Sequence, residues 1–345
     1  MDHAPLAARR ATLAEVAERS QVSLKTASRA LGGERYVSEP TRQRVLAAAR
    51  ELGYQRNAAA SMLAAGRFAD ALGFVAGDLA NPFYSMVAAG LEDGIRERDM
   101  HLSVAGTHET IDHEWLLAQR FADVRSTAIV VASAMPEHSR YQELQNRSIP
   151  VVFVDRPAVG IDADSVVFDN REGGRIAARH LLDHGHRRIG FIGDYDWLPT
   201  HRERVAGMGE AMDGAQVPDW QRLVRTGAHD ARSARQCALE LLSLPEPPTA
   251  IIAGNNRITL GVSEALAPAR PGEANVALVG FDDFDWAAVL GVTVIAHDPV
   301  EMGREAARLA LGRLADSDRR SETVSLPLRL IARGSGEVAP PPPAL

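Results

Sequence analysis

Six short apolar runs in this 345-residue chain are each followed at once by polar side chains that could do chemistry. The polar groups are Asn81-Pro82-Phe83-Tyr84, Ser133, Asp155-Arg156, Asp194, Asn255-Asn256 and Asp282-Asp283. In open parallel sheets ligands sit beyond the carboxyl ends of strands, so groups at these points would face one crevice. Carboxylates, amides and an arginine beside aromatic faces suit a hydroxyl-rich or carboxylated small molecule. Asp155, Asn255 and Asp282 could equally be turn residues or helix caps, the commonest role of such residues after strands. A different chemistry stands near the N-terminus, where Lys25 and Arg29 share a face of one short helical pattern. Cations so placed suit phosphates and guanine edges.

Catalytic signatures are missing. The chain contains neither Gly-x-Ser-x-Gly nor Gly-x4-Gly-Lys-Ser/Thr, which removes a nucleophile elbow and a phosphate loop. Gly190-Phe191-Ile192-Gly193-Asp194 lacks the full dinucleotide fingerprint. His180-x3-His184-x-His186 reads as a helix end without metal-ligand spacing. Cys237 is the single cysteine, so no intrachain disulfide or cysteine-rich metal site can form, and a small core residue is expected there. No catalytic residue, metal or cofactor is therefore expected.

The elements that must position these groups fall into two styles. Thr12 and Glu15 have capping-box spacing, so a helix is predicted from Leu13, with Leu13, Val16 and Ala17 on one apolar stripe. Ser23 can cap a second helix whose inner face is Ala27, Ala30 and Leu31. A third opens after Ser38, tolerates Pro40 in its first turn, and is predicted to bury Val45, Leu46, Ala49 and Leu52. Two short helices across a brief break make a helix-turn-helix, which lays its second helix in the DNA major groove. Residues 57–66 follow as an alanine-rich linker of high helix propensity, too short to be stable alone.

From Ala71 the rhythm becomes short apolar runs alternating with helical stretches. The runs are 71–75, 128–132, 151–154, 166–168, 189–192, 250–253 and 276–279, with helical patterns such as 84–98, 171–184, 202–213, 231–244 and 300–315 between them. Repeated βα units with buried strands imply parallel sheets covered by helices. The length suits two α/β lobes with a cleft between them. A tail from 337 containing four consecutive prolines is expected to be disordered.

Charge separates the two styles. Residues 1–67 hold eleven lysines and arginines against six acids, a net of +5, whereas the whole chain carries −7. Lys25 is the only lysine. A basic module on an acidic body is what phosphate binding requires. The polar first eleven residues show no secretory signal, and no stretch approaches the ~20 apolar residues of a membrane span. A reducing, bacterial-type cytosol is expected.

The residues 12–63 resemble the headpiece of the lactose/galactose repressor family of bacterial regulators. The match runs in order through Thr-Leu-x-x-Val-Ala, Val-Ser-x-x-Thr-x-Ser-Arg, Val-Ser-x-x-Thr-Arg, Leu-Gly-Tyr and Asn-x-x-Ala-x-x-Leu, and continues more loosely to about Gly334. The resemblance implies DNA contacts at Thr12, Leu13, Ser23, Leu24, Lys25, Thr26, Ser28, Arg29, Tyr36, Val37, Ser38, Thr41, Asn57 and Leu63. Leu24, Lys25 and Arg29 would face bases, with Thr26, Ser28 and Ser38 on phosphates. Leu63 would be the apolar wedge of a hinge helix that pairs with its dimer mate in the minor groove. The family's core resembles periplasmic sugar-binding proteins, crossing between lobes three times, here near 168–169, 297–298 and 326–327. Domains are thus expected at 12–57 (headpiece), 58–67 (hinge) and 70–336 (core), with lobe 1 at 70–168 and 298–326 and lobe 2 at 169–297 and 327–336.

Carried over by matching positions, the ligand residues implied are Phe83, Tyr84, Asp155, Thr200, Arg204, His229, Asn255, Asp282 and His297. The chain departs from the family at Asn256, where an aspartate is usual, and at His229 and His297, where aromatic or amide residues are common. No leucine-heptad tail follows, so the tetramerisation device of some relatives is expected to be absent. The reading is a homodimeric, cytoplasmic, DNA-binding repressor acting on a palindromic operator and modulated by a small molecule, a sugar or sugar derivative. Its rival is a non-regulatory sugar-binding or sugar-processing α/β protein with an incidental basic N-terminus.

Overall fold

The computed structural model describes residues 11–32, 36–54, 71–98, 100–267 and 276–342. The linker 58–67, with Asn57 and Leu63, lies outside them. The chain divides into two compact units, Met1–Ala69 and Asp70–Leu345.

Among the described residues the first unit holds three helices, α1 (Leu13–Arg19), α2 (Leu24–Leu31) and α3 (Glu39–Glu51). The capping box is present: the Thr12 backbone N–H donates to Glu15 at 2.7 Å, and Thr12 Oγ1 accepts from the Glu15 N–H at 3.3 Å. Ser23 Oγ caps α2 by accepting from the Thr26 N–H at 3.1 Å, and Pro40 sits in the first turn of α3. The core is Val16, Ala17, Ala27, Ala30, Val45, Ala48 and Ala49. Two expectations for α3 fail. Leu46 is only half-buried, and Leu52, which caps the helix just past its last turn, is 37% exposed. Ala48 takes the inner position instead, because helices this short pack closely on alanine.

Among the described residues the second unit is built on two six-stranded sheets. In the first, β1 (Ala71–Ala76), β2 (His101–Gly106), β3 (Ala128–Val131), β4 (Val151–Val154), β5 (Asp164–Phe168) and β11 (Thr323–Leu326) run in the order β2-β1-β3-β4-β5-β11. In the second, β6 (Ile189–Ile192), β7 (Val224–Arg225), β8 (Ala250–Ala253), β9 (Ala277–Phe281), β10 (Thr293–Ala296) and β12 (Arg329–Ile331) run β7-β6-β8-β9-β10-β12. Every pairing is parallel except β12 on β10. The chain changes sheet between Phe168 and Asn170, between Ala296 and Pro299, and between Leu326 and Arg329.

Helices cover both faces, so the central strands are apolar on both sides. One face of the first sheet, with Leu72, Phe74, Val130 and Val152, packs under the helices Pro82–Ile95 and Pro299–Ala315. In the second sheet, Phe191, Ile252 and Phe281 sit in the core that carries Asn170–Asp183 and Pro199–Gly214. Both helix pairs touch backbone to backbone through glycine. A Cβ at Gly90 would run into the Val300 carbonyl oxygen, and one at Gly303 into that of Val87. Gly174 and Gly207 do the same service in the second lobe, against the carbonyls of Arg204 and Arg171.

The tail expected from 337 begins as docked chain. Glu337 pairs with His180 Nε2 at 2.6 Å and accepts from Thr293 Oγ1 at 2.9 Å, while the Val338 carbonyl meets His186 Nε2 at 2.8 Å. Specific bonds hold these residues despite the proline-rich composition that follows. Among the described residues no group of three His, Cys, Asp or Glu could hold a metal ion, and no helix is long and apolar enough to cross a membrane.

Candidate functional site

A cavity of about 60 Å³ lies between the two sheets, beyond the carboxyl ends of their strands. All nine residues selected from the sequence line it: Phe83, Tyr84, Asp155, Thr200, Arg204, His229, Asn255, Asp282 and His297. They come from separate loops. Asn81 ends the turn after β1, and its Oδ1 accepts from the Phe83 N–H at 3.0 Å, which starts a helix with Phe83 and Tyr84 in its first turn. Asp155 and Asp282 each directly follow a strand, β4 and β9, the fourth strand in either order above. Both adopt left-handed backbone, φ 69° and 71°, with their amides bonded across to the neighbouring strand at 3.0 Å. Aspartate tolerates that conformation better than most residues, and the sheet holds it in place.

The second lobe supplies a tightly wired set of donors and acceptors. Arg204, 7% exposed, donates Nε to Asn170 Oδ1 at 2.8 Å and Nη1 to the Gly254 carbonyl, and lies 4.3 Å over the Phe281 ring. Asp282 accepts from the Asn256 N–H at 2.9 Å, from Asn256 Nδ2 at 2.9 Å and from His297 Nε2 at 2.7 Å. Burial opposes ionisation of Asp282, but the bond from His297, with the Arg204 charge and the Asn256 donor, holds its carboxyl well below the usual range. His297 stacks on Phe168 at 4.1 Å and meets the edge of Phe83. Asp194 joins His229 Nδ1 at 2.9 Å to Asn255 Nδ2 at 3.1 Å, and its hydrogen bond raises the His229 pKa. Asn255 Oδ1 also caps the helix Asn256–Leu266, so its capping role and its place on the cavity coexist.

The first lobe contributes a buried ion pair and one unsatisfied acid. Arg156 donates to both Glu109 oxygens, at 2.7 and 2.8 Å, and to the Ser133 carbonyl at 2.6 Å. Tyr84 is buried beside Glu109, and burial with that neighbouring charge pushes its phenol well above the ordinary value. No hydrogen bond among the described residues reaches the Asp155 carboxylate; its nearest cation is Arg156 Nε at 3.8 Å. Burial raises the Asp155 pKa against the pull of Arg156 and Arg204.

Two bonds bridge the lobes over the cavity: Asn256 Nδ2 to Asn81 Oδ1 at 2.8 Å, and Arg257 Nη1 to Asp78 Oδ2 at 2.5 Å. Asp78, Glu109, His201 and Arg257 line the cavity without having been singled out from the sequence. Glu109 follows β2, an edge strand with no apolar run to flag it. His201 and Arg257 sit in first helical turns, where only the fold shows which way they point.

The headpiece presents its second helix outward. Leu24 is 54% exposed, Lys25 and Arg29 are exposed, and Thr26 and Ser28 are half-buried. Tyr36 stands 92% exposed, an unusual position for so large an apolar ring. Thr12, Ser23 and Ser38 are exposed, whereas Thr41 is half-buried. Ser38 Oγ donates to Thr41 Oγ1 at 2.9 Å. Leu13 and Val37 instead pack against the headpiece core. Asn57 and Leu63 lie outside the described residues.

Comparison with known proteins agrees across both units. Residues 12–57 match the model of bacterial regulatory proteins of the lacI family, and residues 178–336 match a periplasmic binding protein-like domain. The chain is 30% identical over 326 residues to the ribose operon repressor of Bacillus subtilis (strain 168), covering 94% of this chain and 98% of that one. Among solved structures, the transcriptional regulator CelR–cellobiose complex superposes with a TM-score of 0.69 at 29% identity, over 94% of this chain and 100% of that one. The Cra transcriptional dual regulator from Pseudomonas putida in complex with fructose 1-phosphate gives 0.69 at 28%, over 77% and 99%. With a headpiece of this pattern, a two-lobed core of this topology and a full-length relative at this identity, the chain belongs to the lactose/galactose repressor family of DNA-binding transcriptional regulators.

Proposed function

We propose that this protein is a cytoplasmic, homodimeric repressor that reads a palindromic operator and releases or tightens its hold when a small sugar or sugar derivative enters the cleft. One observation carries the reading: nine polar and aromatic residues, spread from Phe83 to His297, converge on a single buried cavity between the lobes. Turn and cap roles account for Asn255 but leave the unbonded Asp155 carboxylate and the Arg204 clamp over Phe281 without a purpose. Relatives of this architecture carry names or bound molecules from sugar chemistry, namely ribose, cellobiose and fructose 1-phosphate. In the headpiece, Leu24, Lys25 and Arg29 meet base edges, and Thr12, Ser23, Thr26, Ser28, Ser38 and Thr41 serve phosphates. Tyr36 offers its exposed ring at the same contact, and Leu13 and Val37 shape the surface from beneath. Asn57 and Leu63 belong to the segment that binds the minor groove.

The test uses DNA selected from the source genome by the purified protein, titrated with and without a panel of sugars. Arg204→Ala should remove the sugar response and leave basal DNA affinity intact. Leu63→Ala should weaken specific DNA binding and spare sugar affinity. Whatever factor the sugar changes DNA affinity by, DNA must change sugar affinity by the same factor. A full response in Arg204→Ala means that the cleft is misassigned.

A further inference from the structure

The charge balance of the cavity constrains its occupant. Five carboxylates line it, those of Asp78, Glu109, Asp155, Asp194 and Asp282, against three guanidiniums and three imidazoles, of which His229 and His297 are paired with Asp194 and Asp282. Each guanidinium is already engaged. Arg156 gives both terminal nitrogens to Glu109, and the two side chains are 4% and 5% exposed. Pulling such a pair apart would strand two desolvated charges. Arg257 is paired with Asp78 across the cleft. Arg204 spends two of its nitrogens on Asn170 and Gly254, and its charge already favours the ionised forms of Asp155 and Asp282.

What remains unfilled has a different character. The Asp155 side chain is 12% exposed, lines the cavity and receives no hydrogen bond among the described residues. Among the described residues Arg156 Nε, His201 Nδ1 and His297 Nδ1, on three other lining residues, have no hydrogen-bond partner and lie buried behind the cavity surface. A hydroxyl group suits Asp155, since it can donate to the carboxylate. A phosphate or a carboxylate brings only acceptors and a charge of the same sign as Asp155. The free space is small and is bridged by the Asn81–Asn256 and Asp78–Arg257 bonds, which leaves room for one ring rather than two.

We infer that the occupant is an uncharged, polyhydroxylated molecule of single-ring size, a neutral pentose, hexose or cyclic polyol, and that the cleft rejects phosphorylated and acidic sugars. The inference rests on the cleft being the effector site.

Isothermal titration of the full chain decides it. The probes are ribose, xylose, glucose, galactose, fructose and myo-inositol; ribose 5-phosphate, glucose 6-phosphate and fructose 1-phosphate; gluconate, glucosamine and cellobiose. At least one neutral single-ring probe should bind, with any charged derivative of it in the panel weaker by about 100-fold or more, the expected scale for a buried like-charge contact. Glu109→Gln, which releases Arg156, should narrow the preference over phosphate by about tenfold; should that variant fail to fold, Asp155→Asn should narrow it likewise. Tighter binding of a phosphate, gluconate, glucosamine or cellobiose than of every neutral single ring overturns the inference, as does binding by none of the neutral rings. A phosphate that binds and is lost in Arg204→Ala sinks the charge argument while leaving the cleft assignment standing. Neutral-sugar affinity indifferent to both Arg204→Ala and Asp155→Asn sinks the cleft assignment, and this inference with it.

Discussion

Asp282→Asn separates charge from shape in the cleft. The side chain is 5% exposed and accepts three hydrogen bonds, two from Asn256 and one from His297, at 2.7–2.9 Å. Asparagine keeps the volume and tolerates the left-handed backbone at φ 71°, so neither a cavity nor strain confuses the comparison. What disappears is the charge and one acceptor: an amide oxygen can keep the two Asn256 bonds, while the amide NH2 then faces His297 Nε2. A bond to an ionised acceptor contributes about 1.5–3 kcal/mol and a neutral one about 0.5–1.5, so two bonds weakened by about 1 kcal/mol each and one lost, worth about 2, give roughly 4 kcal/mol. Urea unfolding of the full chain at pH 7, followed by tryptophan fluorescence, should show a lower midpoint at unchanged slope. The sign of the pH effect follows from linkage. The folded carboxyl is held below its ordinary value of 3.8, so its contribution is complete well above that pH and is lost as pH falls toward the folded value. The gap between wild type and Asp282→Asn should therefore begin to narrow below about pH 4 and close only as pH nears the folded value. A loss below about 1 kcal/mol at neutral pH, or a gap that stays constant through the acid range, refutes the picture of an ionised acid held by three donors.

Lys25→Ala should relax preference at one base pair in each half-operator by about 1–3 kcal/mol; equal weakening on all sequences, read by binding to a randomised-site library, would make Lys25 a phosphate contact. Gly303→Ala should cost roughly 3 kcal/mol, because its Cβ meets the Val87 carbonyl and two helices must part; a urea midpoint equal to wild type would contradict the close crossing. His229 has its pKa raised by the bond to Asp194, so its contribution is full below about 6.5 and fades as pH rises through the folded value. His229→Gln should therefore flatten stability above about pH 6.5, by about 1 kcal/mol for a pair still partly open to solvent; an unchanged slope means the pair is not formed in solution.

The fold class was legible because local pattern and global fold agree over most of the chain. Capping at Thr12 and Ser23, and the apolar runs at β1, β4, β6 and β8, need no tertiary information to be seen. Legibility fails where a residue answers to a distant partner. The helix Ile111–Asp123 went unread partly because Glu114 interrupts its apolar stripe. That carboxylate is fully buried yet satisfied, by Ser133, Tyr141 and the Ala134 amide at 2.6–2.7 Å. The strand β2 went unread because it is an edge strand with no fully buried residue. Within the cleft, residues that follow strands could be picked out by position alone, but the pairs Glu109–Arg156 and Asp78–Arg257 span 47 and 179 residues. Nothing local signals such a pairing.

The three passages between sheets also bear on how the protein is made. The first sheet is not finished when its first five strands have been synthesised, because β11 pairs with β5 and the helix Pro299–Ala315 covers Leu91, Val87 and their neighbours. About 150 residues separate the end of β5 from that missing strand, which at 5–20 residues per second leaves roughly 8–30 s on the ribosome. Throughout that interval the part of an apolar face that Pro299–Ala315 covers stands open, as does a strand edge. Any change that slows translation between 170 and 320 should lower the yield of soluble protein without altering a single contact of the finished fold.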